Sequence, residues 1–140
     1  MRYPLTITPE PDGTFRVQVD DIPDAITASD DIEHAQEMAM DAFRAVAESY
    51  ADANTTIPMP SKPRRGQTCI DIPVVFAAKI LLHNEMQAQN IRPSDLARRM
   101  NTRPQDINRI IKLDAYTRID TLESALHALG RSLQLTVTSK

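Results

Sequence analysis

The stretch from Arg92 to Lys112 (Arg-Pro-Ser-Asp-Leu-Ala-Arg-Arg-Met-Asn-Thr-Arg-Pro-Gln-Asp-Ile-Asn-Arg-Ile-Ile-Lys) has few ways to bury its apolar residues. Leu96, Ala97 and Met100 recur at helical spacing, and Ile107, Ile110 and Ile111 do so again a few residues later. Between them lies Asn101, a residue that tolerates the left-handed conformation that ends helices. Thr102 and Gln105 have the spacing of a capping box, which predicts that a second helix starts at once. Two short amphipathic helices and a tight turn make a helix-turn-helix. The polar side of the second helix carries Arg103, Gln105, Asn108, Arg109 and Lys112. Arg, Gln and Asn match the donor and acceptor pairs on base edges in the DNA major groove.

Charge strengthens that reading. From Arg92 to Arg118 there are seven Arg or Lys residues against three Asp, the electrostatic footprint of a protein that meets a phosphate backbone. A helical hairpin with a purely structural role is the plainer explanation of the shape alone. The net charge of −3 conceals an asymmetry: residues 1–60 carry 3 basic and 12 acidic side chains, whereas residues 61–118 carry 11 basic and 5 acidic. The split suggests two surfaces with different partners, the acidic one suited to a basic protein. The same acids also serve to solubilise the N-terminal half.

A chain of 140 residues accommodates one domain or two small ones. With no Trp and 4% aromatic residues its cores must be aliphatic. The single Cys69 excludes an internal disulfide and a cysteine-cluster zinc site. No signal peptide and no long apolar run is present, so the expectation is a cytoplasmic protein without membrane contact.

In chain order, Arg2–Pro9 and Thr14–Val19 alternate as strands around a turn at Asp12-Gly13, and Ala25–Thr27 reads as a short third strand after a loop at Asp20–Pro23. Asp30 and Glu33 predict the cap of a helix whose inner stripe is Ile32, Ala35, Ala39, Ala42, Phe43, Val46 and Tyr50. Residues 52–66 contain Pro58, Pro60 and Pro63 and form a connector, and 68–72 forms a strand that returns to the sheet. The first unit is therefore 1–72. The second, 73–140, opens with a helix from Val74 to about Gln89, on a face of Val74, Phe76, Ala77, Ala78, Ile80, Leu81 and Met86. It continues through the two motif helices to a helix at 120–129 with Leu122, Ala125, Leu126 and Leu129 inward and Gly130 as its stop. Leu133–Val137 alternates as a final strand. No other strand is available to it within this unit, which predicts pairing with a second copy of the chain, the alternative being the sheet of the first unit.

Catalytic patterns are sparse. Asp20, Asp21, Asp24, Asp30 and Asp31 cluster in sequence, and such acids can hold Mg²⁺ for nucleic-acid cleavage; a solvated loop with helix-capping acids is the plainer reading. His34, His83 and His127 are far apart, and Gly13, Gly66 and Gly130 are too scattered for a phosphate-binding glycine loop. We therefore expect no catalytic residue, no metal ligand and no cofactor.

The opening Met1-Arg-Tyr-Pro-Leu-Thr-Ile-Thr-Pro9, Pro11-Asp-Gly13 and Asp20-Asp-Ile-Pro-Asp-Ala25 resemble the start of HicB-type antitoxins, as do Ile57-Pro-Met-Pro60, Ile70-Asp-Ile-Pro73 and Asp95-Leu-Ala-Arg-Arg99. The resemblance spans nearly the whole chain. It implies an α+β protein: a partial ribonuclease H-like unit without nuclease activity (antiparallel sheet plus one helix), then a lambda-repressor-like helix-turn-helix domain with a C-terminal strand. It also implies the partners: a basic, mRNA-cleaving HicA-type toxin held by the first unit, double-stranded operator DNA held by the second, and a homodimer through the second unit, with room for higher oligomers. The DNA-binding residues are then Thr102, Arg103, Gln105, Asn108, Arg109 and Lys112. Two departures from the pattern stand out: Arg92-Pro93 replaces a Thr or Ser cap followed by Gln, and Asn101 replaces a turn Gly. Two other functions fit the residues less closely: a metal-dependent nuclease built on Asp20–Asp31, and a plain repressor whose first unit senses a small ligand.

Overall fold

The computed structural model describes residues 1–139, and Lys140 lies outside them. The backbone is α+β and divides into two compact units, Met1–Val74 and a second that starts at Val75.

The first unit contains β1 (Arg2–Pro9), β2 (Phe15–Val19), β3 (Ile22–Ser29), α1 (Ala35–Asp52) and β4 (Cys69–Asp71). The strands pair antiparallel in the order β3-β2-β1-β4. Alternation puts Tyr3, Leu5, Val17, Val19, Ile22, Ala25 and Ile70 on the face covered by α1, and all are buried. Against them α1 presents Ala35, Ala39, Phe43 and Ala47. The Tyr3 and Phe43 rings pack with centroids 4.7 Å apart. Tyr3 donates its hydroxyl to the Pro58 carbonyl at 2.7 Å, and burial, helped by Asp21, raises its pKa well above the ordinary phenol value. The β1–β2 turn is closed by Asp12, which accepts from the Thr14 amide and hydroxyl at 2.9 and 2.6 Å, while Gly13 takes φ +88°.

Several expectations change here. The turn between β2 and β3 is only Asp20–Asp21, so β3 is longer than the three residues expected. Helix α1 begins at Ala35, and Asp31 serves its start, accepting from the His34 amide at 2.9 Å and lying 2.6 Å from His34 Nδ1. Asp30 and Glu33 do not form the expected box, and Ile32, left outside the helix, is 57% exposed.

The second unit packs α2 (Val74–Gln89), α3 (Pro93–Met100), α4 (Pro104–Ile111) and α5 (Ile119–Ala128) around one core. Ala78, Leu82, Met86, Leu96, Ala97, Ile107, Ile110, Leu122, Ala125, Leu126 and Leu129 form it. Leu82 takes the inner place expected of Leu81, and Val74 is exposed. Leu133–Val137 forms no strand in the single chain. A strand exists only where a neighbour supplies a hydrogen-bonding ladder, and Leu135 and Val137 are exposed.

Helix ends in this protein follow one rule with one exception. Asn54, Asn90, Asn101 and Gly130 adopt positive φ after α1, α2, α3 and α5. At each, two amides fold back onto the last turn, as in Thr102 N–H to Ala97 O (3.0 Å) with Asn101 N–H to Arg98 O (3.2 Å), or Arg131 N–H to Leu126 O with Gly130 N–H to His127 O, both 2.9 Å. This is the Schellman arrangement. Helix α4 instead runs into extended backbone at Lys112 (φ −71°, ψ 119°). Its closing groups come from another helix: Lys79 of α2, fully buried, donates Nζ to the carbonyls of Arg109 (3.1 Å), Lys112 (2.7 Å) and Ala115 (2.6 Å). Burial pulls its pKa below the ordinary lysine value and nearby Asp114 opposes that shift. A buried ammonium persists where all three of its donors are used.

Replacing Lys79 with Met keeps the aliphatic stem and removes three hydrogen bonds, leaving the Lys112 carbonyl with only the Ala115 amide. We expect Lys79→Met to lose about 3 kcal/mol of stability, read as a lower midpoint of urea unfolding followed by helical circular dichroism. An unchanged midpoint would mean that solvent closes α4 equally well.

Candidate nucleic-acid interface

Helices α3 and α4 are eight residues each, joined at Asn101–Arg103. Arg92 flanks α3 in an extended conformation and Pro93 fills its first position, where a missing N–H costs nothing. Asp95 accepts from the Arg92 amide at 3.0 Å and pairs with Arg98. Those contacts, the backbone one first, hold its carboxyl below the usual range.

The start of α4 differs from the expected Thr102–Gln105 box. Pro104 occupies the first helical position and Arg103 flanks it, with no side-chain cap. The half-buried Thr102 donates to Asp106 Oδ2 at 3.2 Å, and Arg103 Nε and Nη2 reach the same carboxylate at 3.3 and 3.4 Å. Asp106 therefore stays below the ordinary carboxylate pKa, chiefly through Arg103. A rigid proline at the first position moved the helix start, so Gln105 is left for another task.

Ile107 and Ile110 point into the core, which turns the opposite side of α4 outward. Gln105, Asn108, Arg109 and Lys112 are all exposed, and their spacing of i, i+3, i+4 and i+7 sets them along one stripe. Arg103 adjoins it at the helix start and Thr102 is held inward. Of the six expected DNA-binding residues, four thus share an open face, one flanks it, and one buttresses it through Asp106. Lys112 of the stripe and two basic residues outside it form exposed local pairs: Arg92 with Asp95, Lys112 with Asp114 at 3.9 Å, Arg118 with Asp120 at 3.3 Å. Exposed pairs of this kind hold weakly, so these cations can exchange a carboxylate for a phosphate. Arg99 has a different occupation, donating to the Ala128 carbonyl at 3.2 Å at the end of α5.

Lys79, a lone cation among apolar residues of α2, is absent from the residues expected to matter, although it fixes the far end of α4. Its signal is the position itself: a lysine flanked by Ala78 and Ile80 on the buried side of a helix must have partners.

Three of the five aspartates at 20–31 are engaged in holding the first unit together. Asp20 accepts from Gln67 Nε2 at 2.7 Å and from Thr6, Asp21 accepts from the Ser61 amide and hydroxyl at 2.8 and 3.0 Å, and Asp31 serves His34. They tie the proline-containing connector down onto the sheet, where Ile57 is buried. Among the described residues no three His, Cys, Asp or Glu side chains gather as metal ligands, and no helix is long and apolar enough to cross a membrane.

An α+β chain with these features has clear relatives. A family model described as "HicB_like antitoxin of bacterial toxin-antitoxin system" matches residues 2–81. Antitoxin HicB of Escherichia coli K12 is 38% identical over 135 residues, covering 96% of this chain and 98% of that protein. Antitoxin HicB 2 of Photorhabdus laumondii is 40% identical over 135 residues, covering 96% and 95%. Antitoxin HicB of Pseudomonas fluorescens Pf0-1 is 28% identical over 136 residues, covering 96% and 92%. The chain belongs to the HicB-like antitoxin family.

Proposed function

We propose that this antitoxin has two working surfaces. The first unit, read as a partial ribonuclease H-like fold, binds a basic HicA-type toxin and blocks its access to mRNA. The second, read as a lambda-repressor-like helix-turn-helix domain, represses the operon of both proteins by binding operator DNA. The observation that carries the second role is the outward stripe of Gln105, Asn108, Arg109 and Lys112 on a helix whose other side is locked into the core. The first role is supported by family membership and by the acidic excess of residues 1–60, which favours fast association with a basic partner. The engagement of Asp20, Asp21 and Asp31 in hydrogen bonds within the first unit weighs against a nuclease built on them.

The residues after Gly130 complete the reading. Leu133, Leu135 and Val137 alternate in a segment that lacks a strand partner in the single chain, and pairing with the same segment of a second copy would close a two-fold dimer suited to a palindromic operator. Truncation after Gly130 should convert the dimer to a monomer in sedimentation. An unchanged oligomer would remove this segment from the interface.

In the major groove, the N-terminal part of α4 faces base edges. Gln105→Ala should lose about 1–3 kcal/mol on the cognate operator and little on random DNA. Lys112→Ala should weaken both alike and reduce the slope of log K against log salt by about one unit. Binding isotherms on both duplexes across a salt series decide between these roles. Equal losses on both duplexes for Gln105→Ala would mean that α4 does not read sequence.

A further inference from the structure

The connector of the first unit carries a basic tip that neither proposed surface uses. Between Ser61 and Gln67 the chain reads Lys62-Pro-Arg-Arg-Gly66, directly after sixty residues with 12 acidic side chains against 3 basic. Lys62, Arg64 and Arg65 are exposed, and among the described residues none of the three side chains is paired with a carboxylate.

The backbone under these cations is firmly held. Arg64–Gln67 form a β-turn in which the Gln67 amide donates to the Arg64 carbonyl at 3.0 Å. The Arg64 amide donates in return to Gln67 Oε1 at 2.9 Å, and Gly66 takes the φ of +77° that the third position of such a turn needs. Gln67 Nε2 ties the turn to the sheet through the Leu5 carbonyl at 3.0 Å and Asp20 Oδ2 at 2.7 Å. At the other end of the tip, the Ser61 amide and hydroxyl donate to Asp21 at 2.8 and 3.0 Å. Two acids thus anchor the tip, and both are satisfied by neutral neighbours of the arginines. The cations stay unspent on an ordered backbone, so a partner gains their charge without the entropic cost of fixing the loop.

The chemistry of that partner follows. Pro63 is the one apolar side chain between Ser61 and Gln67, so the tip lacks the apolar centre of a protein interface. Of the two partners in the functional reading, a basic toxin would be repelled, whereas duplex DNA carries the opposite charge. Contacts from Arg and Lys to phosphate oxygens add affinity without reading sequence. We propose that residues 62–65 are a second DNA-contact surface, gripping the phosphodiester backbone that flanks the operator while α4 reads the operator itself. The proposal rests on the DNA-binding reading of the second unit.

The full chain with Lys62→Gln, Arg64→Gln and Arg65→Gln together provides the test. Its three changes are at exposed side chains, so its unfolding midpoint should match that of the unsubstituted chain. Binding is measured across a salt series on the operator alone and on the operator extended by about ten base pairs, one helical turn, on each side. The unsubstituted chain should bind the extended duplex more tightly than the operator alone. The variant should lose that gain, and its slope of log K against log salt should flatten by about two to three units. On the operator alone the two proteins should bind alike. Equal binding of the extended duplex by both, at one salt slope, would overturn the proposal and leave the role of α4 intact. An unsubstituted chain that binds neither duplex would remove the DNA-binding reading and this proposal with it. Weakened toxin binding or self-association in the variant, with DNA binding unaltered, would assign the tip to a protein partner and overturn the proposal as well.

Discussion

A single buried ammonium governs the geometry of the proposed DNA-reading surface. Helix α4 is eight residues long, too short to persist on its own propensity. It is fixed on one side by Ile107 and Ile110 in the core and at its C-terminal end by Lys79, whose three hydrogen bonds reach the carbonyls of Arg109, Lys112 and Ala115. The outward direction of Gln105, Asn108, Arg109 and Lys112 depends on that double hold. The Ala115 bond also pins the loop that leads from α4 to α5.

Much of this fold was legible in the residues. Strand alternation in β1 and β2, the limits of α2, the left-handed Asn101 and the stop at Gly130 all followed from local rules. The misreadings occurred where two local signals competed. At α4 the Thr102–Gln105 spacing competed with Pro104, and the proline's fixed φ prevailed. At α1 several acids offered themselves as caps, and the one used was Asp31, which also engages the His34 ring. Asn54 and Asn90 terminate helices just as Asn101 does; the ends of α1 and α2 were legible in the residues, the role of these two asparagines was not. Lys79 was illegible because its partners lie 30 or more residues away in the chain.

In the first unit, polar side chains do comparable work. Asp20 and Asp21 sit at the tight turn between β2 and β3 and hold Gln67 and Ser61, in and just after the connector. Those acids look catalytic when read as a cluster and prove structural when read as hydrogen-bond acceptors. Other acids of the first unit, such as Asp24 and Asp30, are exposed and are free to supply the field on which the proposed toxin binding relies.

The central claim is that toxin and operator use different units of one chain. Hydrogen–deuterium exchange of the full protein, measured once with the cognate toxin and once with operator duplex, tests it most directly. The account predicts that toxin slows exchange within residues 1–72 and leaves 103–112 unchanged, and that operator slows exchange within 103–121 and leaves the sheet unchanged. Protection of residues 103–112 by toxin, with none in the first unit, would contradict it.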